Sequence, residues 1–97
     1  MPFTFEWDQE KASTNLKKHQ VSFEEAKTVF NDPMSITIAD PNHSIDEDRF
    51  VDIGLAANGQ VLVVIYTERG DNIRLISCRI ATKREQRAYE RYEQDSI

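Results

Sequence analysis

Six consecutive apolar residues, Val61-Leu62-Val63-Val64-Ile65-Tyr66, constrain the fold of this chain more than any other feature. A strand with one wet face alternates apolar and polar side chains. A run without alternation must be covered on both faces and therefore belongs at the centre of a sheet. Turn signals bracket it. Asn58-Gly59 on its N-terminal side is the strongest short hairpin signal, because both central residues of a type I′ turn need positive φ. Arg69-Gly70-Asp71-Asn72 follows it. Val61 to Thr67 is thus a central strand, with Arg49 to Ala56 and Ile73 to Ile80 as flanking strands. Met34 to Ala39 adds another, with Ile36 and Ile38 on one face.

The remaining elements are helices and one short strand. Phe3-Thr4-Phe5-Glu6-Trp7 alternates as a first strand, placed to pair beside a later one. Asp8 offers an N-cap oxygen to a polar helix over Lys11 to Lys18, with Ala12 and Leu16 as its narrow buried stripe. Ser22-Phe23-Glu24-Glu25 has the spacing of a capping box, in which Glu25 reaches back to the cap. Phe23, Ala26, Val29 and Phe30 then recur at helical spacing until Asp32-Pro33 stops the helix. Thr82 and Glu85 predict the start of a final helix running to about Glu93, with Ala88, Tyr89 and Tyr92 as a stripe. The order β-α-α-β-β-β-β-α predicts an α+β fold with a mainly antiparallel sheet. At 97 residues it is expected to form one domain, 1–97, with an open-faced rather than enclosed site.

Composition excludes several classes of function. The single cysteine, Cys78, sits in an apolar strand and reads as a small buried hydrophobe. His19 and His43 stand 24 residues apart, so no metal-ligand spacing exists and no metal or cofactor is expected. No phosphate-cradling glycine loop is present. The N-terminus carries charge where a signal peptide would be apolar, and no apolar run reaches membrane-spanning length, so a cytoplasmic setting is expected.

Charge is distributed unevenly. The formal net charge of -5 argues against broad coating of nucleic acid. Yet residues 73–91 hold Arg74, Arg79, Lys83, Arg84, Arg87 and Arg91 against only Glu85 and Glu90, a local balance of +4. Such a cluster is a candidate phosphate-binding surface, the alternative being a solvated helix face. Arg74 and Arg79 lie inside an apolar strand, where a guanidinium must be carboxylate-paired or face water or a ligand. Strand periodicity places Arg74 with Ile76 and Cys78 on one face, and Ser77 with Arg79 on the other. Arg49 heads another strand and offers a third guanidinium. His43, in a polar turn, is the best-placed acid/base candidate. The neighbouring Asp46, Glu47 and Asp48 read by default as a solvated acidic loop.

Several ordered strings carry a family resemblance. These are Phe5-Glu6-Trp7-Asp8…Lys11…Asn15…Lys18-His19, then Val21-Ser22-Phe23-Glu24-Glu25-Ala26…Val29-Phe30-Asn31-Asp32-Pro33, then His43-Ser44…Glu47…Arg49…Gly54. Val63-Val64-Ile65-Tyr66-Thr67 and Ile73-Arg74-Leu75-Ile76-Ser77-Cys78-Arg79…Ala81…Lys83-Arg84-Glu85…Tyr89 complete them. Together they resemble the BrnT family, toxins of BrnT/BrnA type II toxin–antitoxin systems, from about residue 3 to 89. Gln20 stands where the family usually has Gly, and Cys78 where it usually has Ala.

The resemblance implies a RelE-like fold, ribonuclease activity that shuts down translation, and a hetero-oligomer with a BrnA-type antitoxin. That antitoxin would carry a ribbon-helix-helix domain, so DNA contact in operon repression is indirect. Metal-free cleavage by the ribose 2′-OH needs a base, cations at the phosphorane oxygens and an acid for the leaving oxygen. On this reading Arg49, Arg74 and Arg79 hold the phosphate, Lys83, Arg84 and Arg87 bind RNA, and His43 or Glu47 serves as base or acid. Two alternatives remain: a non-catalytic RelE-like module that binds an antitoxin or regulator, and a regulator contacting DNA through the C-terminal helix.

Overall fold

The computed structural model describes residues 3–40 and 48–95. Its strands are β1 (Thr4–Glu6), β2 (Ile36–Ala39), β3 (Arg49–Leu55), β4 (Val61–Arg69) and β5 (Asn72–Ile80), in the sheet order β1-β5-β4-β3-β2. β4 is central, as its unbroken apolar run requires. β1 pairs parallel with β5, and every other pair is antiparallel. Helices α1 (Gln9–His19), α2 (Phe23–Ala26) and α3 (Lys83–Asp95) complete the expected α+β order.

α1 and α2 lie on one face of the sheet. Val21, Phe23, Ala26 and Val29 pack there against Leu62, Val64, Tyr66, Ile73, Leu75 and Cys78. The backbone tightens after Ala26 into a 3-10 segment, Lys27–Asn31, which keeps Val29 in the core. It also runs so close to β3 that a Cβ on Gly54 would come within 2.8 Å of Val29 and Ser35. Ser22 caps α2 through Glu25 N–H at 3.0 Å, but the Glu25 carboxylate turns to the hairpin instead of the cap, accepting Asn58 N–H at 2.8 Å. The 57–59 turn is not type I′. Only Gly59 has positive φ, at 90°, following a turn closed by Gly59 N–H to Ala56 C=O, so a single left-handed residue suffices.

α1 departs from its predicted stripe. Leu16 is 49% exposed, whereas Asn15 is buried. β1 is only three residues long and leaves the far half of β5 without a strand neighbour, so α1 covers that edge. The Asn15 amide does the pairing, accepting Cys78 N–H at 3.0 Å and donating to Cys78 C=O at 2.9 Å and Val21 C=O at 3.1 Å. Burial pushes the Cys78 thiol up to about 11 despite its contact with Asn15. α1 closes at Gln20, which holds the left-handed conformation with φ 62°.

α3 crosses the opposite face. Ala81 and Tyr89 join Ile53 and Val63 in a second core cluster. Tyr89 O–H donates to Asp32 Oδ2 at 2.6 Å, and Asp32 also receives Leu55 and Met34 N–H. Burial works to raise the Asp32 carboxyl, but these three donors outweigh it and its pKa is lowered.

Candidate functional site

The face that α3 only partly covers carries the arginines. In the register, Arg49 of β3 stands opposite Thr67 of β4, Thr67 opposite Arg74 of β5, and Arg74 beside Glu6 of β1. Directly paired residues project to the same side, so Arg49, Thr67, Arg74 and Glu6 form one row across the sheet. At the usual strand spacing Arg49 and Arg74 lie about 10 Å apart. Thr67 between them is buried, and its hydroxyl donates to Asp48 C=O at 2.7 Å.

A β-bulge corrects the predicted facing of the arginines. Tyr66 pairs with Leu75 but Ile65 pairs with Ser77, so Ile76 is an extra residue in β5. The alternation changes phase there. Ile73, Leu75 and Cys78 all reach the helical core, and Arg74, Ser77 and Arg79 all face the other way. Simple period-two counting separates Arg74 from Arg79; the bulge unites them.

Their pairing differs. Arg74 meets Glu6 at 2.9 Å, with Arg69 at 3.9 Å from the same carboxylate and Asn72 donating to it at 3.2 Å. Arg79 is forked onto Glu85, at 2.7 and 2.8 Å. Glu85 in turn receives Thr82 N–H at 2.8 Å and donates its own N–H to the Thr82 hydroxyl at 3.2 Å, the capping box expected for α3. The Arg79 bond brings the Glu85 carboxyl down to about 2, and Glu85 raises the Arg79 pKa. Arg79 therefore anchors α3 to the sheet as well as facing the row.

Beside the arginine row runs a half-covered apolar row, Ile38–Val51–Ile65, ending at Ser77, in which Val51 packs against the α3-side core. Ile38 is 50% exposed. On α3, Lys83, Arg84, Arg87 and Arg91 are exposed. At 100° per residue they span an arc of about 100° on the side away from Tyr89. His43 and Glu47 lie outside the described residues. Among the described residues no group of three metal-ligating side chains comes together, and no helix is long and apolar enough to cross a membrane.

Sequence reasoning placed Ser77 on one face with Arg79 but gave no site role to Thr67, Glu6 or Ser77. Their membership depends on strand register, for which a single sequence carries no signal. Asp52 was equally hidden: it is buried on the helical face, bonded by Thr37 at 2.6 Å and Tyr66 at 3.2 Å. Burial raises its pKa against those two bonds, and the charge of Glu68 adds to the rise.

Comparison with known proteins agrees with this architecture. The family model described as the ribonuclease toxin BrnT of type II toxin–antitoxin systems matches residues 7–85. The crystal structure of the Brucella abortus ribonuclease toxin BrnT superposes with a TM-score of 0.63 at 24% identity, covering 84% of this chain and 100% of that one. That likeness speaks for the fold. A search of the curated proteins finds no match.

Proposed function

The chain belongs to the BrnT family of ribonuclease toxins of type II toxin–antitoxin systems, and on that premise we propose that the arginine-bearing sheet face is where it cleaves RNA. The observation that carries the reading is the single row Arg49–Thr67–Arg74 on the sheet face that α3 only partly covers. Two guanidinium groups flanking one position suit a phosphodiester, because arginine holds phosphate oxygens bidentately and stays charged.

The proposed reaction needs no metal. The ribose 2′-oxygen attacks the adjacent phosphorus as a base takes its proton. The bond to the 5′-oxygen breaks as an acid protonates that leaving group, giving a 2′,3′-cyclic phosphate and a 5′-hydroxyl. Arg49 and Arg74 neutralise charge on the phosphorane oxygens, and RNA phosphate displaces Glu6 from Arg74. Arg79 contributes from the same face once Glu85 yields part of its fork. Lys83, Arg84 and Arg87 track the RNA backbone. His43 or Glu47 supplies the base or acid.

Biologically, this reading has the chain inhibit translation in the cytoplasm as one toxin domain. A BrnA-type antitoxin with a ribbon-helix-helix domain neutralises it in a hetero-oligomer and makes the DNA contacts. The test is incubation of the antitoxin-free chain with RNA, with and without chelator, beside Arg49→Ala and Arg74→Ala. Cleavage that survives chelator and falls at least a hundredfold in either variant is expected; chelator-abolished cleavage or fully active variants would refute the assignment. The carboxylate partners of Arg74 and Arg79 favour a second reading, a non-catalytic antitoxin-binding module, which predicts no degradation under any of these conditions.

A further inference from the structure

The edge of β5 beyond β1 opens into a groove of about 450 Å³ against α1. It lies outside the arginine row. Ser77 faces the same side as Arg74 and Arg79, and Ser77 together with the bulge residue Ile76 forms the groove's sheet wall. The other wall is one stripe of α1: Lys11, Thr14, Asn15 and Lys18, spaced three and four apart. Lys11, Thr14 and Lys18 are exposed, while Asn15 is the buried amide that closes the strand edge behind them.

The charge pattern is dipolar. Asp8 and Glu10 line the end at the start of α1; Lys18 and His19 line the end at its close. A bare anion would meet carboxylates at one end. A nucleotide matches both ends, with its phosphate toward Lys18 and the N–H groups of its base toward Glu10. The half-buried Ile76 offers an apolar surface between them. The volume lies within the range of small-ligand sites.

We propose that this groove is a nucleotide subsite, which takes the RNA residue flanking the cleaved bond after the strand rounds the β5 edge at Ser77. The proposal rests on the RNA-cleaving reading of the arginine face. It makes Lys18 an RNA-binding residue and gives the acidic end of the groove a part in base preference.

The test uses a fluorescein-labelled hexanucleotide of RNA made uncleavable by 2′-O-methylation, titrated with the antitoxin-free full chain and followed by anisotropy. Lys18→Glu is compared with Lys17→Glu, which makes the same charge change on the next residue but does not line the groove. Lys18→Glu is expected to weaken binding at least fivefold and Lys17→Glu less than twofold. Amide shifts of the wild-type chain are expected to move at Thr14, His19 and Ser77 as well as along Arg49, Thr67 and Arg74. Equal losses in the two variants, or shifts confined to the arginine row, would overturn the groove and leave the cleavage site standing. Absence of binding at either place would overturn both.

Discussion

Glu85→Gln is the most informative single change in the protein. It keeps the shape of the side chain and removes the charge that receives the Arg79 fork. The Glu85 carboxyl sits at about 2 against an ordinary 4.5. Taken whole, that fall corresponds to about 3 kcal/mol of folding free energy. Both partners remain in contact with water, the Arg79 side chain 40% and Glu85 27% exposed, so screening reduces the expected loss to about 1–2 kcal/mol. The sign follows from linkage: a carboxyl depressed in the folded state stabilises fully above pH 4.5 and loses that contribution as pH falls towards 2. Urea unfolding of wild type and Glu85→Gln should therefore differ by about 1–2 kcal/mol at pH 7 and converge near pH 2. Arg79→Met combined with Glu85→Gln should show coupling of about 1 kcal/mol, since each single change already breaks the fork. A difference that persists undiminished at pH 2, or a coupling below about 0.3 kcal/mol, refutes the anchoring role. The same variant frees the Arg79 guanidinium, so RNA cleavage that falls in Arg79→Met yet holds in Glu85→Gln assigns Arg79 to the substrate.

Three further outcomes follow. Asn15→Ala strands the buried N–H and C=O of Cys78 and the C=O of Val21, and should cost about 2–4 kcal/mol in chemical unfolding. Asp52 has the opposite linkage to Glu85: its folded pKa is raised, so a penalty present at neutral pH is relieved as the carboxyl gains its proton, and the melting temperature of wild type should rise relative to Asp52→Asn as pH is lowered. Gln20→Gly removes the steric cost of a side chain at φ 62° and should stabilise by about 1 kcal/mol, read as a higher urea midpoint at unchanged slope.

What the sequence revealed was local or strongly periodic. The apolar run of β4 identified the central strand, Asp8, Ser22 and Thr82 marked the helix starts, and Cys78 announced itself as core. What it concealed depended on neighbours distant in the chain. Asn15 outranks Leu16 for the interior because an unpaired strand edge needs hydrogen bonds more than α1 needs another apolar contact. Glu25 leaves its cap because Asn58 arrives from the hairpin. The site was legible as a set of cations, not as a geometry: nothing in the residues around Ile76 signals the bulge that turns Arg74 and Arg79 to one side. His43 and Glu47 stay sequence-based assignments.

The parallel pairing of β1 has a consequence for the order of assembly. Glu6 meets Arg74 across 68 residues of chain. Closing a loop of that length costs about 4 kcal/mol of chain entropy before any contact is made. β1 offers three rungs and the packing of Phe5 and Trp7 in return. The antiparallel meander of β2 to β5 needs no such closure, so it can form while the N-terminal strand is still searching. Arg49, Thr67 and Arg74 all belong to that meander, whereas Glu6 stands on the strand outside it. The N-terminal strand is thus a separable counterion: the three rungs of β1 are what hold Glu6 against Arg74, and the rest of the row does not depend on them.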